Sequence, residues 1–356
     1  MSHRHESPSG GVRAASAHPL APAVLAVVVL HLIGFGLLLY YTLSSDLRLG
    51  TGELFGLSVG LTAYTLGMRH AFDADHIATI DNTTRKLLHD GERPHATGFF
   101  FSAGHSTVVF VLAVLVALGV RGLGSAVQDE GSTLHEVTSV WGPTVAGLFL
   151  LTVGGFNIGV VRRTLALARR ASAGELQPGD FDDGPVARGP ISRLTGRLAA
   201  KVTRPWQLYP IGLFFGLGFD TATEIALLVL AGGSAASGLP VGAILCLPIL
   251  FAAGMTLLDT LNGATTARAY SWALTAPARR VAYNVAVTGV SVVFALLIGS
   301  LSLLGVIVEE FSIDGGPLAA IAAIDTALLG YALLAIILMA WASAALWARS
   351  VERRLA

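Results

Sequence analysis

Long apolar runs follow one another along this chain, separated by short polar stretches. Each run is long enough to cross about 30 Å of hydrocarbon as a helix. Eight segments read as spans, at 20–43, 54–80, 96–120, 141–161, 206–231, 239–262, 281–308 and 318–347. The pattern predicts an all-α polytopic membrane protein. Its parts are a tail at 1–19, four transmembrane helices in 20–161, a linker at 162–205, four more helices in 206–347 and a second tail at 348–356. The linker is rich in Arg, Gly, Pro and Ser, which suits an exposed connection and no further span. No sequence repeat relates the two halves.

Composition agrees. Of 356 residues 53% are hydrophobic and 13% charged, with a mean hydropathy of +0.68, which excludes a soluble globular domain. The zero net charge hides an asymmetry. With a cytoplasmic N-terminus and alternating sides, every Lys and Arg falls inside except Arg48 and Arg121, which fall outside, and Arg69, within the membrane. The outer connections carry Asp129, Glu130, Glu136, Glu309, Glu310 and Asp314 instead. The positive-inside rule therefore puts both termini in the cytoplasm and the chain in the cytoplasmic membrane as a multi-pass protein. The first apolar run is too long for a cleaved signal and is followed by Tyr40-Tyr41, so it reads as an anchor. A single cysteine, Cys246, rules out an intrachain disulfide and a thiolate-rich metal site. Its apolar neighbours suggest packing. The lipid bilayer is the partner this composition implies, and nucleic acid is not.

Against that background the second span is unusual. It carries Arg69-His70-Ala71-Phe72-Asp73-Ala74-Asp75-His76-Ile77, and each charge near the centre of a spanning helix costs about 2.5–3.5 kcal/mol on insertion scales. On a continuous helix His70, Asp73, Asp81 and Thr84 share an arc of about 80°, with His76 at its margin and Asp75 pointing elsewhere. Imidazole nitrogen with carboxylate oxygen suits nickel, cobalt or zinc, whereas calcium and magnesium prefer oxygen alone. The bland reading is a polar network joining helices.

Other spans add to this. In the third, His105 follows Gly104, a small residue that admits a neighbouring helix; by itself His105 serves structure as readily as ligation. In the fifth, Asp220 and Glu224 stack on one face and need a cation, a proton or a base between them. In the sixth, Met255, Asp259 and Asn262 share a face and offer thioether, carboxylate and amide groups. His31, in the otherwise apolar first span, is either a helix-to-helix hydrogen-bonding residue or, facing His70, a member of the metal shell. The tail His3 and His5 read as flexible.

These residues resemble the nickel/cobalt transporter family, NiCoT, bacterial and fungal permeases with eight spans. The likeness covers essentially the whole hydrophobic chain. It includes the second-span signature with His70, Asp73, Asp75 and His76. It also includes Phe100-Phe101-Ser102-Ala103-Gly104-His105-Ser106-Thr107-Val108-Val109 in the third span and Leu217-Gly218-Phe219-Asp220-Thr221-Ala222-Thr223-Glu224-Ile225 in the fifth. The sixth-span motif departs from the pattern, with Asn262 in place of the usual aspartate three positions after Asp259. The amide keeps an oxygen donor but loses a negative charge and any proton-carrying role.

The resemblance implies a permease importing Ni2+ or Co2+ for metalloenzyme assembly, the ions being cargo and no cofactor being required. His31 with Phe72 leans towards cobalt as well as nickel, by likeness to broader-specificity members. On this reading His70, Asp73 and His76, with Asp75, His105 and His31 as further candidates, hold the metal. Asp220, Glu224, Met255, Asp259 and Asn262 line the path or couple it. No Gly-rich phosphate loop is present, so ATP hydrolysis by this chain is not expected. Three rival readings use the same residues. One is metal efflux, disfavoured because the 162–205 loop lacks histidine. Another is an intramembrane metalloenzyme, for which His-Glu-x-x-His and Gly-x-Ser-x-Gly are missing. The last is a metal sensor that binds without transporting. The sequence identifies no metallochaperone.

Overall fold

The computed structural model describes residues 20–44, 47–48, 54–118, 132–172, 202–218, 227, 230–234, 236–274, 284–313, 315–324 and 326–355. The elements among them are helical, apart from a single isolated bridge between Arg48 and Leu54. In chain order the helices are α1 (Ala21–Ser44), α2 (Leu57–His70), α3 (Ala74–His89), α4 (Thr97–Ala117), α5 (Thr133–Ser172), α6 (Leu208–Gly216), α7 (Val241–Leu274), α8 (Gly289–Glu310), α9 (Gly316–Ala322) and α10 (Thr326–Leu355). Among the described residues, five stretches are long and apolar enough to cross a membrane: Ala21–Ser44, Thr97–Ala117, Glu136–Ala166, Val241–Trp272 and Val285–Glu310.

The second expected span, 54–80, is not one helix. It breaks between His70 and Ala74, where Phe72 N–H donates to Arg69 O at 3.0 Å and Asp73 N–H to His70 O at 2.9 Å. These tight bonds satisfy backbone groups that a helix end otherwise leaves open. Asp73, extended at φ −62° and ψ 140°, then starts α3 as its N-cap. Backbone broken at membrane depth is tolerated only where protein or a water-filled cavity surrounds it, and here α10 covers it. A Cβ on Gly330 would meet Phe72 O at 1.9 Å, and the Phe72 and Tyr331 rings stand 5.3 Å apart. The expected span 318–347 is likewise divided, into α9 and α10, and α5 continues as helix past 161 to Ser172, into the expected linker. The rest of that linker up to 201 lies outside the described residues.

The helix after the break is the centre of the bundle. Every residue of α3 from His76 to Leu87 is buried, and the enclosed residues include its threonines, Asp81, Asn82, Arg85 and Lys86. It contacts α4, α5, α7, α8 and α10. Because lipid tails are as apolar as leucine, burial of apolar surface drives helix association weakly in a bilayer, and close packing with interhelical hydrogen bonds has to supply the rest. Asn157 on α5 accordingly donates to Asn82 Oδ1 at 2.9 Å, and Thr84 and Thr97 share a hydrogen bond of 2.6 Å. Lys86 donates to Val202 O and to Asp90, each at 2.6 Å. An apolar core formed by α1, α2 and α7 lies alongside, and contains Leu38, Leu250, Phe251, Cys246 and Met255.

Candidate metal centre

The turn at 71–73 brings together what a straight helix would hold apart. His70 ends α2 and His76 sits in the first turn of α3, with ring centroids 4.6 Å apart. His105, from the middle of α4, completes a triangle, 4.7 Å from His70 and 4.9 Å from His76. Each of the three offers a ring nitrogen within 4.8 Å of the others. They are 1%, 0% and 3% exposed for His70, His76 and His105.

Two carboxylates aim these rings. His70 Nδ1 lies 2.8 Å from Asp73 Oδ2, and His76 Nδ1 lies 3.2 Å from Asp259 Oδ2 on α7. The hydrogen bond to Asp259 favours the His76 tautomer with the lone pair on Nε2, the arrangement that outer-shell acids impose on metal-binding histidines, while Asp73 sets a negative charge beside His70 Nδ1. His70 Nε2 then faces His105 Nε2 at 2.9 Å. Two nitrogens each about 2.1 Å from one metal and at right angles to it are about 3.0 Å apart, so this spacing suits adjacent positions of one coordination sphere. His76 Nε2 is buried with no hydrogen-bond partner among the described residues, and a buried ring nitrogen left so carries a cost that a ligated ion removes. The donor set is imidazole, suited to late first-row divalent metals.

Close helix approach holds the geometry. A Cβ on Gly98 of α4 would fall 1.8 Å from Asp259 O, and one on Gly67 of α2 would fall 2.0 Å from Phe251 O. At these two crossings only glycine lets the backbones of α4 and α2 meet α7, the small-residue device of membrane bundles.

The remaining sequence candidates are placed as follows. Asp75 stays out of the triangle, its Oδ1 accepting the His76 N–H at 2.9 Å at the start of α3, where a negative charge also favours the helix dipole. His31 is hydrogen-bonded to Val27 O at 2.7 Å and lies 3.2 Å from the Tyr64 hydroxyl; it is not among the three gathered histidines. Met255 packs in the apolar core, fully buried. Asp259 is nearer the centre than a path residue, being the partner of His76. Asn262 and Phe72 line a cavity beside α3. Asp81, expected on the histidine face, instead pairs with Arg85 on its own helix. Asp220 and Glu224 lie outside the described residues.

The family model described as high-affinity nickel-transport protein, NicO, matches residues 56–347. The chain belongs to that family. Within it, the nickel transporter NicT of Mycobacterium tuberculosis is 49% identical over 329 residues, covering 90% of this chain and 86% of its own. The cobalt transport protein NhlF of Rhodococcus rhodochrous is 41% identical over 345 residues, 92% of each. The high-affinity nickel-transport protein NixA of Helicobacter pylori is 38% identical over 326 residues, 90% of this chain and 94% of its own. No solved structure matches significantly. In this NicO member the three histidines fall inside the matched region, as do both carboxylates that orient them.

Proposed function

We propose that this NicO-family chain is a permease that imports Ni2+ and Co2+ across the cytoplasmic membrane, with His70, His76 and His105 as the transport site. The observation that carries the reading is the triangle of three buried imidazoles at a break in a membrane-embedded helix. Half-helix ends at such breaks are where transporters commonly bind their cargo. Each imidazole replaces a water of the hydrated ion, while Asp73 and Asp259 supply charge from one bond further out.

The proposed topology has eight spans and cytoplasmic termini, as the distribution of Lys and Arg favours. An inside-negative potential of about 100 mV contributes about 4.6 kcal/mol to the inward movement of a dication, which drives uptake without ATP. Asp220 and Glu224 are assigned to the path or its coupling on the family likeness. Cobalt beside nickel is favoured by His31 and Phe72, and by a relative named for cobalt transport.

The test is uptake of radioactive nickel and cobalt at submicromolar concentration by a host lacking its own permeases. Uptake by the wild type that vanishes in equally expressed His70→Ala supports the reading. Well-inserted wild type with no uptake over background overturns it in favour of efflux or of binding alone.

A further inference from the structure

Apolar side chains, Leu258, Leu334 and Ile337 among them, form most of the wall of a cavity of about 310 Å3 between α3, α7 and α10. An apolar cavity of about 150 Å3 stays dry and takes an apolar guest, and this one is larger. Arg85 also reaches the wall. Its Nε and Nη2 donate to the two oxygens of Asp81 at 2.9 and 2.8 Å, so the pair adds no net charge. The cavity therefore suits a hydrocarbon chain and neither an ion nor a column of water.

Its mouth opens on lipid. Leu261 of α7 and Leu338 of α10 line the cavity and are nevertheless 53% and 47% exposed. Leu261 lies in the stretch Val241–Trp272, long and apolar enough to cross a membrane, and Leu338 in the apolar stretch Leu328–Ala340. In a membrane-embedded bundle, leucines exposed at such positions meet acyl tails. Ala71 and Phe72 stand on the wall too, so a chain seated in the cavity packs against the turn that follows His70.

Two polar groups narrow the choice of guest. Asn262 lines the cavity, and its Nδ2 is buried with no hydrogen-bond partner among the described residues. A buried donor left open is costly, so a guest that brings an acceptor is favoured. Arg268 shares a face of α7 with Leu261 and Thr265 at i, i+4 and i+7, and all three are exposed. The mouth is thus continued along α7 by a cation. Six residues, or about 9 Å of helix, separate Asn262 from Arg268. The glycerol of one phospholipid and the long arginine side chain together bridge that span.

We propose that this cavity is a lipid site, which takes one acyl chain of a phospholipid from the surrounding bilayer. Asn262 Nδ2 donates to the ester carbonyl of that chain, and Arg268 meets the phosphate at the membrane surface. The site is independent of the ion that the three histidines hold.

The experiment uses the full chain, purified in detergent and stripped of lipid. It is titrated with dioleoyl phosphatidylglycerol and with the diether analogue of the same tails and headgroup, which lacks the carbonyl. Native mass spectrometry counts the lipids retained per chain. Wild type is expected to bind one diester molecule about fivefold more tightly than the diether, the weight of one hydrogen bond. Asn262→Leu is expected to bind the two alike. Arg268→Gln is expected to weaken both about fivefold, the usual worth of one basic residue at an anionic surface. Ala269→Phe, which puts a ring into the cavity, is expected to lose that one molecule. If Ala269→Phe does not fold, the ester-to-ether ratio of wild type against Asn262→Leu decides alone. Equal retention of the two lipids by wild type, or a preference for the ester that persists in Asn262→Leu, overturns the site and leaves annular lipid only.

Discussion

Asp259 Oδ2 stands 3.2 Å from His76 Nδ1, across 183 positions of chain and between two helices. This contact turns the second ring nitrogen of His76 towards His70 and His105. Replacing the acid by its amide, Asp259→Asn, keeps the shape but removes the charge that fixes the tautomer. Cobalt affinity is expected to fall about 10–100-fold, the usual effect of losing an outer-shell partner. Calorimetric titration of the purified protein measures it, and an affinity within twofold of wild type would show that the acid does not orient the ring.

His105 supplies one of the three nitrogens from a separate helix, α4. His105→Ala removes a donor outright, so its affinity loss is expected to exceed about 100-fold, the upper end of the outer-shell range. Uptake at submicromolar metal should disappear while much of it returns at millimolar metal. A His105→Ala protein with wild-type KM would reduce His105 to a packing residue.

Two glycines should behave oppositely on conversion to alanine. At Gly98 the added Cβ falls 1.8 Å from Asp259 O, so α4 and α7 must separate and Asp259 must shift. Overpacking of this kind costs about 1–3 kcal/mol, and Gly98→Ala is expected to lower both the unfolding temperature in detergent and cobalt binding. At Gly36 in α1 nothing lies within 4 Å of the added carbon, and Gly36→Ala is expected to gain about 0.5–1 kcal/mol from helix propensity. Thermal unfolding of both variants decides the matter.

His31 and Tyr64 form an interhelical pair, with Nε2 3.2 Å from the hydroxyl and the rings edge to face at 5.6 Å. If His31 tunes the choice between nickel and cobalt from this position, then Tyr64→Phe, which frees the imidazole to turn, should shift the uptake ratio in the same direction as His31→Ala and by less. Dual-isotope uptake reads the ratio directly. A change with His31→Ala and none with Tyr64→Phe would mean that the pairing is incidental to selectivity.

The sequence by itself determined the membrane-embedded helical class and the types of donor the candidate site can draw on. Apolar run length and side-chain type are read directly along the chain, whereas the 2.8 Å approach of His70 to Asp73 is formed at the helix break. Family membership too was legible, because the motifs are short and contiguous. Tertiary structure decided what the site is made of. Angular positions computed along one helix lose meaning once the chain turns at Ala71–Asp73, which is why His76 joins His70 while Asp81 is drawn off to Arg85. The partnership of His76 with Asp259 and the arrival of His105 depend on how closely α4 and α7 approach, and that distance is set by backbone contacts at residues such as Gly98, which no periodicity along a single helix encodes.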